Sequence, residues 1–189
     1  MVAPLAADKK EQPAFSAAPA SSYESKQTNG KVTIAVRAYD TEDLAHTAFG
    51  KLNPYQYDIL PVLVVIQNDT PETLRLDRIQ VQYESFDGKK IDATPAADVP
   101  YAVERPKRPN VPVASPIPPE LRRKHKNPLG GPEIQTRAFA ARMLPAGESA
   151  SGFFYFQAHH RPGDSLYITG IEEARTGKEI FYFEIPFKE

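Results

Sequence analysis

Residues 147–152 have the spacing closest to that of a catalytic nucleophile. The stretch Gly147-Glu-Ser149-Ala-Ser-Gly152 approaches the G-x-S-x-G motif, in which a strained turn between a strand and a helix exposes the serine of a hydrolase. It has one residue too many, and the aromatic run that follows is typical of a strand rather than a helix. We therefore interpret the segment as a turn and expect no catalytic role for it.

Histidines and carboxylates are the next candidates, since together they can bind a metal ion. His159 and His160 are adjacent, so in a strand their side chains would point to opposite faces and would rarely bind one ion. Asp40, Glu42 and Asp43 are explained by the chemistry of a helix start, with Asp40 as the N-cap. HExxH, paired-carboxylate and EF-hand patterns are absent from the sequence, as is cysteine. We predict no metal, no cofactor and no enzymatic activity.

The stretch from residue 94 to residue 136 is the irregular part of the chain, and it holds over half of the 19 prolines. A connection of this length in a compact domain is usually functional or disordered. Three interpretations stay open: a solvated crossover packed on its own sandwich, a partner-binding arm of extended proline segments, and a basic surface that binds anions. The candidate partner-binding residues are Arg105, Lys107, Arg108, Arg122, Arg123, Lys124 and Lys126. Because the net charge of the whole chain is only -1, we do not expect nucleic-acid binding.

The rest of the pattern is that of short strands joined by tight turns, with Asp87-Gly88 and Thr176-Gly177 as hairpin turns. About seven strands are predicted, at 31–39, 60–67, 75–86, 89–93, 151–158, 165–172 and 179–187, and residues 137–144 are also assigned to a strand. One short helix is predicted over 40–50. No alternation of strands and helices indicates a parallel sheet, so the fold class is an all-β antiparallel sandwich.

Two of these strands are apolar on both faces. Residues 60–67 read LPVLVVIQ, and residues 153–156 are four consecutive aromatics. Since successive strand side chains point to opposite faces, both faces of these strands require burial. Phe154 and Phe156 are expected on one face of the sheet, and Phe153 and Tyr155 on the other.

Residues 1–29 are rich in Ala, Pro, Ser, Gln and Lys, a composition that buries too little apolar surface to fold. We predict that they form a disordered N-terminal tether to a domain that spans 30–189. The segment is either a plain N-terminus or the spacer that follows a removed signal peptide, near a lost lipidated cysteine. The second interpretation is preferred because flexible linkers of this composition suit tethered domains.

Several motifs resemble those of immunoglobulin-like domains found in bacterial envelope lipoproteins of unknown function. They are VVIQND, SFDGKK, AFGKLNP, LPV and L-P-x-G-E-S-x-x-G-F-x-x-F, and the resemblance covers residues 31–187. It implies an immunoglobulin-like fold, and the long Pro-rich insertion of this chain departs from the short generic version of that fold. It also implies a secreted or envelope-anchored location, and it transfers no catalytic residues.

These observations predict a non-enzymatic binding or structural module, exported and either periplasmic or anchored to the outer membrane by an N-terminal lipid. An envelope protein is the expected partner. Two alternatives stay open, because a fold does not determine a function. One is a hydrolase with dispersed catalytic residues on a β-sandwich, and the other is a self-associating envelope component.

Overall fold

The structure is a computed structural model, and it describes residues 15–102, 127–180 and 182–188. Within these ranges the chain is mostly strands in three antiparallel sheets, with a few short helices. The all-β prediction is therefore confirmed. The predicted count of about seven strands is too low, since the described residues contain eleven. No helix among them is long and apolar enough to cross a membrane.

Two four-stranded sheets and one smaller sheet make up the fold. The first sheet has the order β1-β2-β3-β8, from Lys26–Asn29, Val32–Ala38, Leu60–Asn68 and Ser149–Phe156. The second has the order β11-β9-β5-β6, from Phe183–Pro186, Ser165–Thr169, Gln80–Glu84 and Lys90–Asp92. The third has the order β10-β4-β7, from Glu172–Glu173, Leu74–Arg75 and Met143–Leu144.

The first and second sheets pack face to face around the main hydrophobic core, in a sandwich-like arrangement. Val36 and Val62 of the first sheet share this core with Tyr83, Ile168 and Phe183 of the second, and all five are buried. Burial of such side chains is the dominant favourable contribution to folding, at about 1.5–3 kcal/mol for each large apolar one.

Helices cover the other face of the first sheet. They are α1 (Glu42–Phe49), α2 (Val99–Ala102) and α3 (Pro132–Arg137). Phe49 and Ile134 bury their side chains in a second apolar cluster together with Leu63 of β3. The first sheet is therefore apolar on both faces because it is the middle layer of three, which confirms the reading of residues 60–67 as a buried central strand.

The aromatic strand divides its side chains as predicted. Phe153 and Tyr155 lie in the helix-side cluster, whereas Phe156 lies in the main core. Phe154 is half-buried on the core side and stacks on Phe139 with the ring centroids 5.3 Å apart. β8 thus contributes large apolar side chains to both layers, as a scaffold strand does.

The predicted tether is wrong for residues 20–29, and residues 1–14 lie outside the described ranges. Ala20–Ser22 form a 3-10 turn, and β1 pairs antiparallel with β2. The connection Gly30-Lys31 has positive φ at both positions, 53° and 67°, which is the geometry of a type I′ hairpin turn. A polar sequence can form an edge strand here because β2 supplies the hydrogen bonds that the segment could not make alone.

Two further assignments need correction. Residues 75–86 form not one strand but two, β4 and β5, separated by a turn. Residues 137–144 are mostly not a strand, since Arg137 ends α3 and only Met143–Leu144 pair as β7. Pro132 starts α3 at a position where its fixed φ suits the first helical turn, and burial of Ile134 stabilises this helix against the sheet.

The predicted helix over residues 40–50 is present as α1, but its N-cap is Thr41 and not Asp40. Leu44 N–H donates to Thr41 Oγ1 at 3.4 Å, while Asp40 precedes the cap. The cap shifts by one residue because Thr41 has the extended backbone that an N-cap requires. Gly50 follows the helix with a φ of 66°, in line with its predicted role as the C-cap.

Candidate binding site

The seven basic residues predicted to bind a partner, from Arg105 to Lys126, lie outside the described residues. The structure does describe the two ends of the segment that contains them. α2 leads into it, and Asn127 with the 3-10 turn Pro128–Gly130 follows it. Residues 94–102 and 127–136 were predicted as part of one irregular insertion. Most of residues 127–136 lie in the 3-10 turn and in α3, whereas residues 94–102 are helical only in α2.

Both ends of this segment are fixed to the helix layer and to each other. Val99 and Leu129 are buried, with 0% and 1% of their surface exposed. The Asn127 side chain donates to the Pro100 carbonyl and accepts from Leu129 N–H at 3.1 Å. The chain thus leaves and re-enters the domain at one base, which we call the insertion base: α2 together with Asn127–Gly130.

A second surface feature is a cavity of about 570 Å³ at the edge of the first sheet. It lies where the chain before β1 separates from β2, and it reaches the loop between β8 and β9 and the end of the chain. Its walls carry charges of both signs, from Glu24, Arg37, Asp40 and Lys188. Leu44 and Phe187 are among its apolar lining residues, and His160 lines it as well. We call this cavity the β2 groove.

Beneath His160 lies a buried hydrogen-bonded network. The Tyr83 hydroxyl donates to Asp164 Oδ2 and lies 3.0 Å from His160 Nδ1. The Asp164 carboxylate, which is 1% exposed, also accepts from Phe86 N–H and Arg161 N–H, each at 2.8 Å. Burial, and then the bond to the Asp164 carboxylate, raise the pKa of Tyr83, so its hydroxyl stays protonated as the donor.

This network connects three parts of the fold rather than positioning a nucleophile. Asp164 joins the turn before β9 to the hairpin between β5 and β6, and its backbone carbonyl accepts from Phe187 N–H at 3.0 Å. The position of the His160 imidazole is fixed by the ring of Phe187, whose centroid lies 4.9 Å away. The groove therefore has a rigid floor with one imidazole at its surface.

The candidates for catalysis and metal binding do not form one site, although Asp40 and His160 both line the β2 groove. Ser149 and Ser151 lie on β8 and are exposed. His159 is also exposed and lies 3.5 Å from Asp58, whereas His160 is turned toward the groove. Within the described ranges no group of three or more His, Asp or Glu side chains could hold a metal ion.

The sequence singled out Asp40 and His160 but did not indicate the other charged residues of the β2 groove or the network at its floor. The role of Asp164 could have been predicted from the sequence, because this residue ends the turn Arg161-Pro-Gly-Asp164 directly before a strand. Aspartate often accepts backbone hydrogen bonds in such turns. No sequence pattern indicates Glu24, Arg37 and Lys188, since they come from three segments that meet only in the folded chain.

A comparison with protein-family models finds no match for this chain, and a comparison with curated protein sequences finds no significant match.

Proposed function

We propose that the chain is a non-enzymatic binding module of a bacterial cell envelope, which contacts a partner protein through residues 103–126. The insertion base is the observation that carries this proposal. A segment fixed at both ends by buried side chains, Val99 and Leu129, is presented from a defined place on the domain. Fixed ends also lower the conformational entropy that the segment loses when it binds.

The charge of this segment indicates the nature of the partner. Residues 103–126 contain seven Lys and Arg and two Glu, so their formal charge is 7 − 2 = +5. The whole chain carries -1, which leaves −1 − 5 = −6 for the remainder. An acidic surface on the partner would attract the segment while being repelled by the rest of the domain, and this fixes the orientation of approach.

The arrangement of the strands supports an immunoglobulin-like sandwich. β2, β3 and β8 lie side by side in the first sheet and face β11-β9-β5-β6, which corresponds to the strand orders A-B-E and G-F-C-C′ of that fold. β1, the third sheet and the helix layer are additions to it. We propose on this basis, and on the motifs of the sequence, that the domain is exported and tethered by its N-terminal segment.

Deletion of residues 105–124, with a Gly-Ser linker in their place, tests the proposed contact. The deletion keeps both ends of the insertion base, so we expect an unchanged melting temperature. The deletion variant should no longer capture from envelope extract the proteins that the intact chain captures. The same captured proteins in the same amounts would end the proposal.

The location is tested on the native protein. Mass spectrometry of the N-terminus from isolated envelopes should show a processed, lipid-modified end ahead of the tether. An unmodified Met1 as the native N-terminus would contradict the lipid anchor, and it would leave the proposed contact through residues 103–126 to be judged separately.

A hydrolase is a second candidate, and one observation favours it: the β2 groove collects His160 with the carboxylates of Glu24 and Asp40, which are the groups of general acid–base catalysis. Incubation of the purified chain with p-nitrophenyl acetate and with casein would reveal such an activity. Turnover that His160→Gln abolishes, without a loss of melting temperature, would establish it. Turnover equal in both proteins, or none in either, would count against it.

A further inference from the structure

We propose that the β2 groove binds a short extended peptide with charged ends. This site is separate from the insertion base. The chain approaches the insertion along the β8 edge of the first sheet, where Thr94 N–H donates to the Tyr155 carbonyl at 2.7 Å, while the groove lies beside β2. Binding at the β2 groove is therefore independent of what residues 103–126 contact, and the two proposals are tested separately.

The edge of β2 is open in the groove. Val36 N–H donates to the Ser25 carbonyl at 2.9 Å, and this is the last hydrogen bond between β2 and the segment before it. Tyr39 N–H donates to the Pro61 carbonyl on the opposite side, also at 2.9 Å. Because backbone groups of successive strand residues point to opposite sides, those of Ala38 point away from β3. Among the described residues they take part in no hydrogen bond.

An extended peptide is the ligand that an open strand edge recognises. Its backbone can accept from Ala38 N–H and donate to the Ala38 carbonyl, which continues the line of β1 along β2. Ala38 is 8% exposed, and unpaired backbone groups at so buried a position are unfavourable without a partner. The edges of β1 and β11 are joined by contrast, since side chains of β1 bond to the backbone of Tyr182, just before β11, and of Glu184 within it.

The charges of the groove complement those of a peptide with free ends. Arg37 and Lys188 can meet its carboxylate, and Glu24 and Asp40 can meet its ammonium group. None of these four side chains makes an ion pair with another residue that the structure describes. Their charges are thus not neutralised by each other, and each can form a charge-assisted hydrogen bond with a ligand of opposite charge.

The size and the apolar walls of the groove agree with this ligand. A volume of about 570 Å³ falls within the range of small-ligand pockets, roughly 300–1,000 Å³. Leu44 and Phe187 line it and can pack against small side chains. His160 offers one further polar contact, and its position is held by the network beneath it.

Titration of the ¹⁵N-labelled full chain with trialanine, followed by amide NMR spectra, tests the proposal. We expect saturable shifts of Ala38 and of its neighbours in the groove. N-acetyl-trialanine amide, which lacks both end charges, should shift the same amides but bind more weakly. Absence of a saturable shift at Ala38 up to millimolar peptide, or shifts confined to residues outside the groove, would overturn the proposal.

Charge-removing variants sharpen the test. Arg37→Gln and Asp40→Asn should each raise the Kd for trialanine, roughly three- to tenfold, and neither should change the Kd for the blocked peptide. Arg142→Gln and Asp98→Asn are matched controls at exposed positions outside the groove, and both should bind trialanine as the original chain does. Equal affinity in all four variants would contradict the assignment of the peptide ends to these charges.

Discussion

At the scale of single residues, Asp164 is the side chain on which most of the local structure depends. It is a buried carboxylate whose partners are the Tyr83 hydroxyl and the backbone N–H groups of Phe86 and Arg161. All of these donors lose their acceptor together if the carboxylate is removed. Hydrogen bonds to a charged group are worth more than neutral ones, so this position should be far more sensitive than its neighbours.

We predict that Asp164→Ala lowers the free energy of unfolding by about 2–4 kcal/mol. Tyr83→Phe, which keeps the ring and removes one donor, should lower it by about 1–2 kcal/mol. Urea unfolding followed by tyrosine fluorescence measures both. Lys89→Ala, at an exposed position in the neighbouring hairpin, is the control and should stay within about 0.5 kcal/mol. An Asp164→Ala variant as stable as this control would contradict the role given to the network.

A second prediction at the residue scale concerns the pKa of Glu172. The hydrogen bond from Arg75, followed by the charges of Arg75 and Arg78, lowers the pKa of the Glu172 carboxyl from its ordinary value of 4.5. The pair therefore contributes stability that is fully present above the pKa of the unfolded chain and is lost as the pH falls through the lower folded value. A ¹³C NMR titration should place the Glu172 midpoint below 4.5, and Arg75→Gln should move it upward. A midpoint that does not respond to Arg75→Gln would refute the pairing.

At the scale of elements, the burial of β8 was predicted correctly, whereas the chain segment that packs against it was not. The four aromatics predicted burial on both faces, and the structure places them in two layers. The same stretch contains Gly152, and a glycine inside a strand often marks the close approach of another backbone segment. The backbone at Phe139 crosses directly over it, with Phe139 N–H donating to the Phe153 carbonyl at 3.0 Å.

We therefore predict that Gly152→Ala destabilises the fold by about 1–3 kcal/mol through overpacking. An added Cβ would collide with Phe139 Cα and would lie 2.6 Å from Phe139 N, and backbone atoms cannot move aside as a flexible side chain can. Thermal unfolding measures the effect. Ser151→Ala, at the exposed position next to it, should change stability by less than about 0.5 kcal/mol. Equal melting temperatures for the two variants would show that the crossing is not tightly packed.

The other element-scale differences between prediction and structure have a common cause. β1 is polar and α3 lies in a proline-rich stretch without apolar periodicity, so local composition favoured a tether for the first and did not indicate a helix for the second. β1 is ordered by pairing with β2, and α3 is ordered by burial of Ile134. These are contacts with distant parts of the chain, and a local pattern cannot report them. Turns are different, because Asp87-Gly88 and Thr176-Gly177 encode their own geometry.

At the scale of the whole molecule, three layers explain why apolar strands and a basic, proline-rich insertion occur in one chain. The sandwich requires one apolar face from each sheet, and the helix layer covers the remaining apolar face of the first sheet. α2 and the turn Asn127–Gly130 flank residues 103–126, so the segment with the largest charge starts and ends on a packed surface. The antiparallel β class was predictable from hairpins and alternation, and so was α1, whereas α2 and α3 of the helix layer were not.

The central claim is that residues 103–126 contact an acidic partner protein from the insertion base. Quantitative capture from envelope extract tests it most directly, with Arg122, Arg123, Lys124 and Lys126 all changed to Gln. The control changes four exposed cations elsewhere, Lys51, Lys89, Arg142 and Lys178, so that both variants have the same net charge. We predict that the first variant captures about tenfold less partner protein than the original chain. The control should capture the same amount as the original chain. Equal capture by both variants would contradict the account.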